Sequence, residues 1–139
     1  MSDLTAVFRN QRSEIQRLGE LAERFGAGEH LGDDEVMAIN LVLDEMVANI
    51  IENAYDDQGE HEIHVSLARH GDTLTIRIED DGRPFDPVQA PAPDLDLPLE
   101  ERPIGGLGIH IVRSVMDAVD YRRQDGRNIL TMRKTLGRS

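Results

Sequence analysis

Two pairs of short alternating apolar runs, each folded about a turn signal, constrain this chain more than anything else in it. Ile63, Val65 and Leu67 alternate with polar residues, Arg69-His70-Gly71-Asp72 turns, and Leu74, Ile76 and Ile78 alternate again. Val119 to Arg123 and Asn128 to Lys134 repeat the pattern around Asp125-Gly126. Hairpins of this kind require antiparallel neighbours, so a wholly parallel, doubly wound sheet is excluded. Leu4 to Phe8 adds a short first strand.

The other segments read as helices. Ile15, Leu18, Leu21, Ala22 and Phe25 recur at helical spacing over Arg12 to Phe25, with Gly26 and Gly28 as the expected stop. Asp33 to Tyr55 is the strongest helix. Its opening acids suit a positive helix end, and Ile39, Leu43, Met46, Val47, Ile50 and Ala54 form one wide face. Its first half is apolar nearly all round and is expected to be well buried. A last helix opens at Gly105-Gly106-Leu107-Gly108, with Ile109, Val112, Val115 and Met116 on one face. Between 82 and 104 the pattern breaks, and all six prolines lie there; a loop this long is usually a functional lid or a linker. The expected architecture is α/β, in the sense of an α+β two-layer sandwich. Helices cover one face of a mixed, mainly antiparallel sheet in a single domain spanning 1–139, with a lid at about 83–104.

Composition excludes several functions. A formal net charge of −12 argues against direct nucleic-acid binding, which needs a basic stripe. Residues 33–60 carry nine acids and neither lysine nor arginine, which suits either a solvated face or a site that recruits a divalent cation. Cysteine is absent, so disulfides, thiolate nucleophiles and cysteine zinc sites are excluded; this fits the cytoplasm. Neither an apolar run of membrane-spanning length nor a signal peptide is visible. Lys134 is the only lysine and lies far from where a P-loop or a eukaryotic-type kinase places its phosphate lysine.

Three constellations carry chemistry. On the long helix, Glu45, Asn49, Glu52 and Asn53 form one polar stripe, either solvent-facing or a notch in an otherwise apolar helix. A carboxylate there can polarise a hydroxyl, and an amide oxygen suits magnesium. At the end of a strand, the period of two puts Asp80 on the core face of Leu74, Ile76 and Ile78, so it needs a donor. That donor is either a backbone amide of the next turn or the amine of a purine; Asp81 points the other way, into solvent. At 105–108, glycines at a helix start let amides approach a phosphate, or simply make a turn. His61 and His64 lack metalloprotease spacing and read as surface histidines, and no hydrolase triad is visible.

The order and spacing of these motifs resemble the GHKL superfamily of ATPases and kinases. Leu43-Asp44-Glu45-Met46-Val47-Ala48-Asn49 is similar to the N box, Glu79-Asp80-Asp81-Gly82 to the G1 box and Gly105-Gly106-Leu107-Gly108 to the G2 box. The resemblance implies a Bergerat fold with ATP between the long helix and the lid. Glu45 in its box, the chain length and Asp86-Pro87 after Phe85 most resemble the serine kinases of bacterial partner switching. That resemblance implies ATP and Mg2+ as cofactors. It implies an antagonist of STAS type as the serine-bearing substrate, a sigma factor as a second partner, and a possible homodimer.

Carried over, Glu45 would activate the serine hydroxyl and Asn49 would ligate magnesium. Asp80 would accept from the adenine amine, with Gly82 allowing close approach of the base. Asn53, Arg102, Gly105, Gly106, Leu107 and Gly108 would complete the nucleotide site, Arg102 neutralising a terminal phosphate. The chain departs from the pattern at Arg83-Pro84, where a second glycine is usual; proline is stiff there, so a differently shaped loop is expected. The rival readings are a module that sequesters a regulator with nucleotide structural or absent, and a catalytic piece of a histidine kinase.

Overall fold

The computed structural model describes residues 2–55, 59–84, 86 and 106–136. Strand β1 (Ser2–Arg9) leads through a 3-10 turn (Arg12–Glu14) into helices α1 (Ile15–Glu29) and α2 (Asp33–Asn53). The hairpin β2 (Glu62–His70) and β3 (Thr73–Asp80), helix α3 (Gly106–Val115) and the hairpin β4 (Ala118–Gln124) and β5 (Arg127–Thr135) follow. The strands form one sheet in the order β1-β2-β3-β5-β4. Its four described pairings are all antiparallel, where the sequence left room for a mixed sheet. In the second hairpin Asp125 and Gly126 both take positive φ, 53° and 77°, the pair of angles that a tight two-residue turn requires.

The alternation read from sequence sets which face is covered. Ile63, Val65, Leu67, Leu74, Ile76, Ile78, Leu130 and Met132 are buried with Leu18, Leu21, Phe25, Val42, Leu43, Met46 and Val47 from the helices. Each such side chain contributes about 1.5–3 kcal/mol of hydrophobic stabilisation. Lys134 fastens the helix layer to the sheet, donating from Nζ to the Val115 carbonyl at the end of α3, 3.1 Å away.

Two sequence expectations about the helices are corrected. Helix α1 does not stop at Gly26 and Gly28 but runs to Glu29, where His30 takes the left-handed cap (φ 57°) that glycine usually fills. Gly26 serves helix packing instead, since a Cβ there would lie 2.3 Å from Val36 Cγ2. The first half of α2 is also less buried than its composition predicts. Met37 is 69% exposed and Leu41 39%, because α1, α3 and the sheet pack against the other sides of the helix. No described helix is long and apolar enough to cross a membrane.

Candidate functional site

Asp80 ends β3 on the covered face, only 2% exposed. Burial raises its pKa, and the neighbouring Asp81 charge adds to the rise; hydrogen bonds from Asn128 and the Gly82 amide, with the Arg123 charge, partly offset it. The Gly82 amide donates to Asp80 Oδ1 at 2.8 Å and Asn128 Nδ2 donates to the same oxygen at 2.9 Å. Of the two alternative partners for this carboxylate, the backbone amide is therefore present. Both bonds fall on Oδ1, and Oδ2 has no hydrogen-bond donor among the described residues. Asp80 lines a narrow recess with Met46, Asn49, Ile50, Ile78, Tyr121, Asn128 and Leu130.

Helix α2 supplies the opposite wall. Asn49 is buried, and Asn53 Nδ2 donates to its Oδ1 at 2.7 Å and to its carbonyl at 2.9 Å. An amide oxygen has two acceptor positions, so one remains at Asn49 Oδ1. Glu45, a turn earlier, is half-buried and has neither hydrogen bond nor ion pair with a described residue. It does not line the recess, so the expected single pocket for Glu45, Asn49 and Asp80 resolves into a recess holding Asn49 and Asp80, with Glu45 beyond it along α2. The polar stripe also splits at Glu52, which is exposed and pairs with Arg12 at 2.6 Å.

The turn after β3 is tied down on all sides. The Arg83 amide donates to the Ala54 carbonyl at 2.7 Å, and Arg83 Nε to the Asn53 carbonyl at 2.6 Å. Arg123 Nη1 donates to the Gly82 carbonyl at 2.7 Å, and Asn128 Nδ2 to the Arg83 carbonyl at 2.8 Å. A Cβ on Gly82 would lie 2.4 Å from the Ala54 oxygen. This close approach to the end of α2 requires glycine at 82 irrespective of any ligand, a packing reason that the sequence did not show.

Asn128 was missed by sequence reading. A signal existed: β5 points Asn128, Leu130 and Met132 inward, and a polar group in an apolar series needs partners. Tyr121 and Arg123 likewise looked like ordinary strand residues. The histidines are also more engaged than the expected surface pair. His61 is half-buried, stacks on Tyr55 with ring centroids 4.3 Å apart, and shares a hydrogen bond with Asp81 at 3.2 Å. Gly106, Leu107 and Gly108 open α3 as expected; Arg102, Gly105 and the lid from 87 to 104 lie outside the described residues.

The family profile described as the histidine kinase-like ATPase domain matches residues 8–134. The chain belongs to the histidine kinase-like ATPase family. Among individual members of this family, it is 34% identical over 94 residues to the serine/threonine-protein kinase BtrW of Bordetella bronchiseptica, a match covering 68% of this chain and 66% of that one. It is 28% identical over 102 residues to the serine-protein kinase RsbW of Bacillus cereus, covering 70% and 62%. The matches thus span slightly under two thirds of these relatives. Solved structures share the histidine kinase-like fold. The RsbU and RsbW domains of a Mycobacterium tuberculosis protein superpose with a TM-score of 0.70 at 15% identity, covering 100% of this chain and 34% of that one. The SiaB–SiaC complex of Pseudomonas aeruginosa gives 0.54 at 19%, covering 94% and 89%.

The recess is lined mainly by apolar side chains around one carboxylate. Its walls are the side chains of Met46, Ile50, Ile78, Tyr121 and Leu130, and its one carboxylate has an oxygen without a donor among the described residues. Its interior volume is about 20 Å³, so a flat ring enters only if the walls part.

Proposed function

We propose that this chain is an ATP- and Mg2+-dependent protein serine kinase of a partner-switching system. It acts on an antagonist of STAS type and binds a sigma factor in the cytoplasm, and a homodimer of this single domain fits the reading. The observation that carries it is the carboxylate of Asp80, which floors an apolar recess with one oxygen uncommitted among the described residues while Asn49 borders the same recess from α2. The names of the relatives, both serine kinases, support the reaction class.

Bound ATP supplies the phosphoryl group for transfer. Asp80 Oδ2 accepts from the amine edge of the base, and the recess walls keep water from the ring. Asn49 Oδ1 offers its second acceptor position to magnesium. Among the described residues no group of three acids or histidines forms a cage, so the cation would be held mainly by phosphates and water. Gly106, Leu107 and Gly108 present the start of α3 toward the phosphates, with Gly105 and Arg102 as further contacts. Glu45, without a hydrogen-bond or ion-pair partner among the described residues, takes the proton of the serine hydroxyl.

The test is incubation with labelled ATP and a STAS-type protein encoded nearby, scored for phosphoserine. Transfer that depends on Glu45 supports the reading, and no phosphoserine on any such protein rejects it. A second reading, a sequestering module without kinase activity, is favoured by one observation. The Gly82-Arg83 turn is bonded throughout to protein, so it holds its shape without nucleotide. Calorimetry with ATP and magnesium separates the two, since absence of heat leaves only the module.

A further inference from the structure

We infer that Asn128, held by Tyr121 and Arg123, is the positioning residue that fixes the Asp80 carboxylate for base recognition without touching the base itself. The inference rests on the nucleotide-binding reading of the recess. An asparagine amide has two donor hydrogens and two acceptor positions. At Asn128 all four are matched. Nδ2 donates to Asp80 Oδ1 at 2.9 Å and to the Arg83 carbonyl at 2.8 Å. Oδ1 accepts from the Tyr121 hydroxyl and from Arg123 Nη1 at 3.1 Å.

This pattern admits one orientation. Flipping the amide would turn its oxygen toward the Asp80 carboxylate and the Arg83 carbonyl, and its hydrogens toward the Tyr121 and Arg123 donors. With no capacity left, Asn128 does not read a base directly, although it lines the recess. It acts by holding one Asp80 oxygen, which leaves the other as the acceptor. Arg123 extends the clamp by also donating to the Gly82 carbonyl, so the β4–β5 hairpin holds both the carboxylate and the turn that follows it. Geometry favours the arrangement, because Asp80 faces Asn128 in the β3–β5 register and Asn128 faces Arg123 in the β4–β5 register.

The clamp also acts on ionisation. Burial and the Asp81 charge raise the Asp80 pKa, while the Asn128 hydrogen bond, the Gly82 amide and the Arg123 charge lower it. Removing the Asn128 amide therefore moves the loss of the carboxylate charge to higher pH. A substitution that damaged only packing would weaken binding at every pH alike.

The test is calorimetry of the full chain with ADP and magnesium from acid to neutral pH. Asn128→Leu, of similar size but without the amide, is expected to weaken ADP by about 10- to 100-fold. It is also expected to move the acid limb of the affinity profile to higher pH. Tyr121→Phe, which keeps the ring and loses the hydroxyl, gives a smaller loss with the same direction of shift, and it serves if Asn128→Leu does not fold. Unchanged affinity and an unmoved acid limb in a folded variant overturn the inference. Asp80→Asn is the control for the underlying reading. If it leaves ADP binding intact, the recess is not the base site; if it abolishes binding while both clamp variants bind normally, only the clamp fails.

Discussion

Asp80 and Asn128 face each other across the β3–β5 ladder, joined by a hydrogen bond of 2.9 Å between buried side chains. A carboxylate in that position is costly unless bonded, and among the described residues only one of its oxygens has donors. This asymmetry is what a ligand amine would exploit. Asp80→Asn would keep an acceptor for Gly82 and Asn128 while setting an amide nitrogen against the base amine. ATP affinity should fall by about 10- to 100-fold, read by calorimetry, with little change in circular dichroism.

Asp80 should also leave a pH signature on stability. Its raised pKa means that the folded chain holds this proton more tightly than the unfolded chain does. That contribution is complete below the unfolded value and is lost as pH climbs through the raised folded value. In urea titrations, Asp80→Asn should gain stability relative to the parent across that window, by about 1.4 kcal/mol for each pH unit the window spans. Glu14 and Asp117, whose values are lowered, are common to both proteins and cancel. A difference that is flat with pH would contradict the burial argument.

Glu45 is proposed as the group that receives the serine proton. Glu45→Ala should slow phosphoserine formation by about 10²- to 10⁴-fold, the usual worth of a general base. The affinity for ATP should not change, because Glu45 lies outside the recess lining. Equal loss of both would mean that Glu45 shapes the site rather than serving the reaction.

Gly82 packs against backbone, which cannot rotate aside. Gly82→Ala should cost about 1–3 kcal/mol through the clash with Ala54, lowering the melting temperature by roughly 4–12 °C. Gly28→Ala is the control, since a Cβ there meets nothing within 4 Å. In helix α1 it should be neutral or stabilising by about 0.5–1 kcal/mol.

The fold was largely legible because its signals are local. Alternation at Leu74, Ile76 and Ile78 and the Asp125-Gly126 turn specify hairpins without reference to the rest of the chain. What failed depended on tertiary neighbours. Gly26 reads as a helix stop until Val36 is seen to need its space, and Met37 and Leu41 read as core until α2 is seen to have one uncovered side. At the site, Asn49 and Asp80 were found from motif spacing, whereas Asn128 carries no motif. Its meaning lies in four partners of its side chain from three segments, visible only once β5 is inserted between β3 and β4.

That insertion has a consequence for synthesis on the ribosome. The strand next to β3 is the last of the five to be made, so the nascent chain carries Asp80 for dozens of residues before its partner emerges. Until then the edge of β3 is open to pairing with another chain, a known route to aggregation. Premature termination ahead of residue 127 should therefore yield a sticky product that lacks the recess rather than a weakened version of the whole. Any ligand that waits for the recess can stabilise only chains in which β5 has already been made.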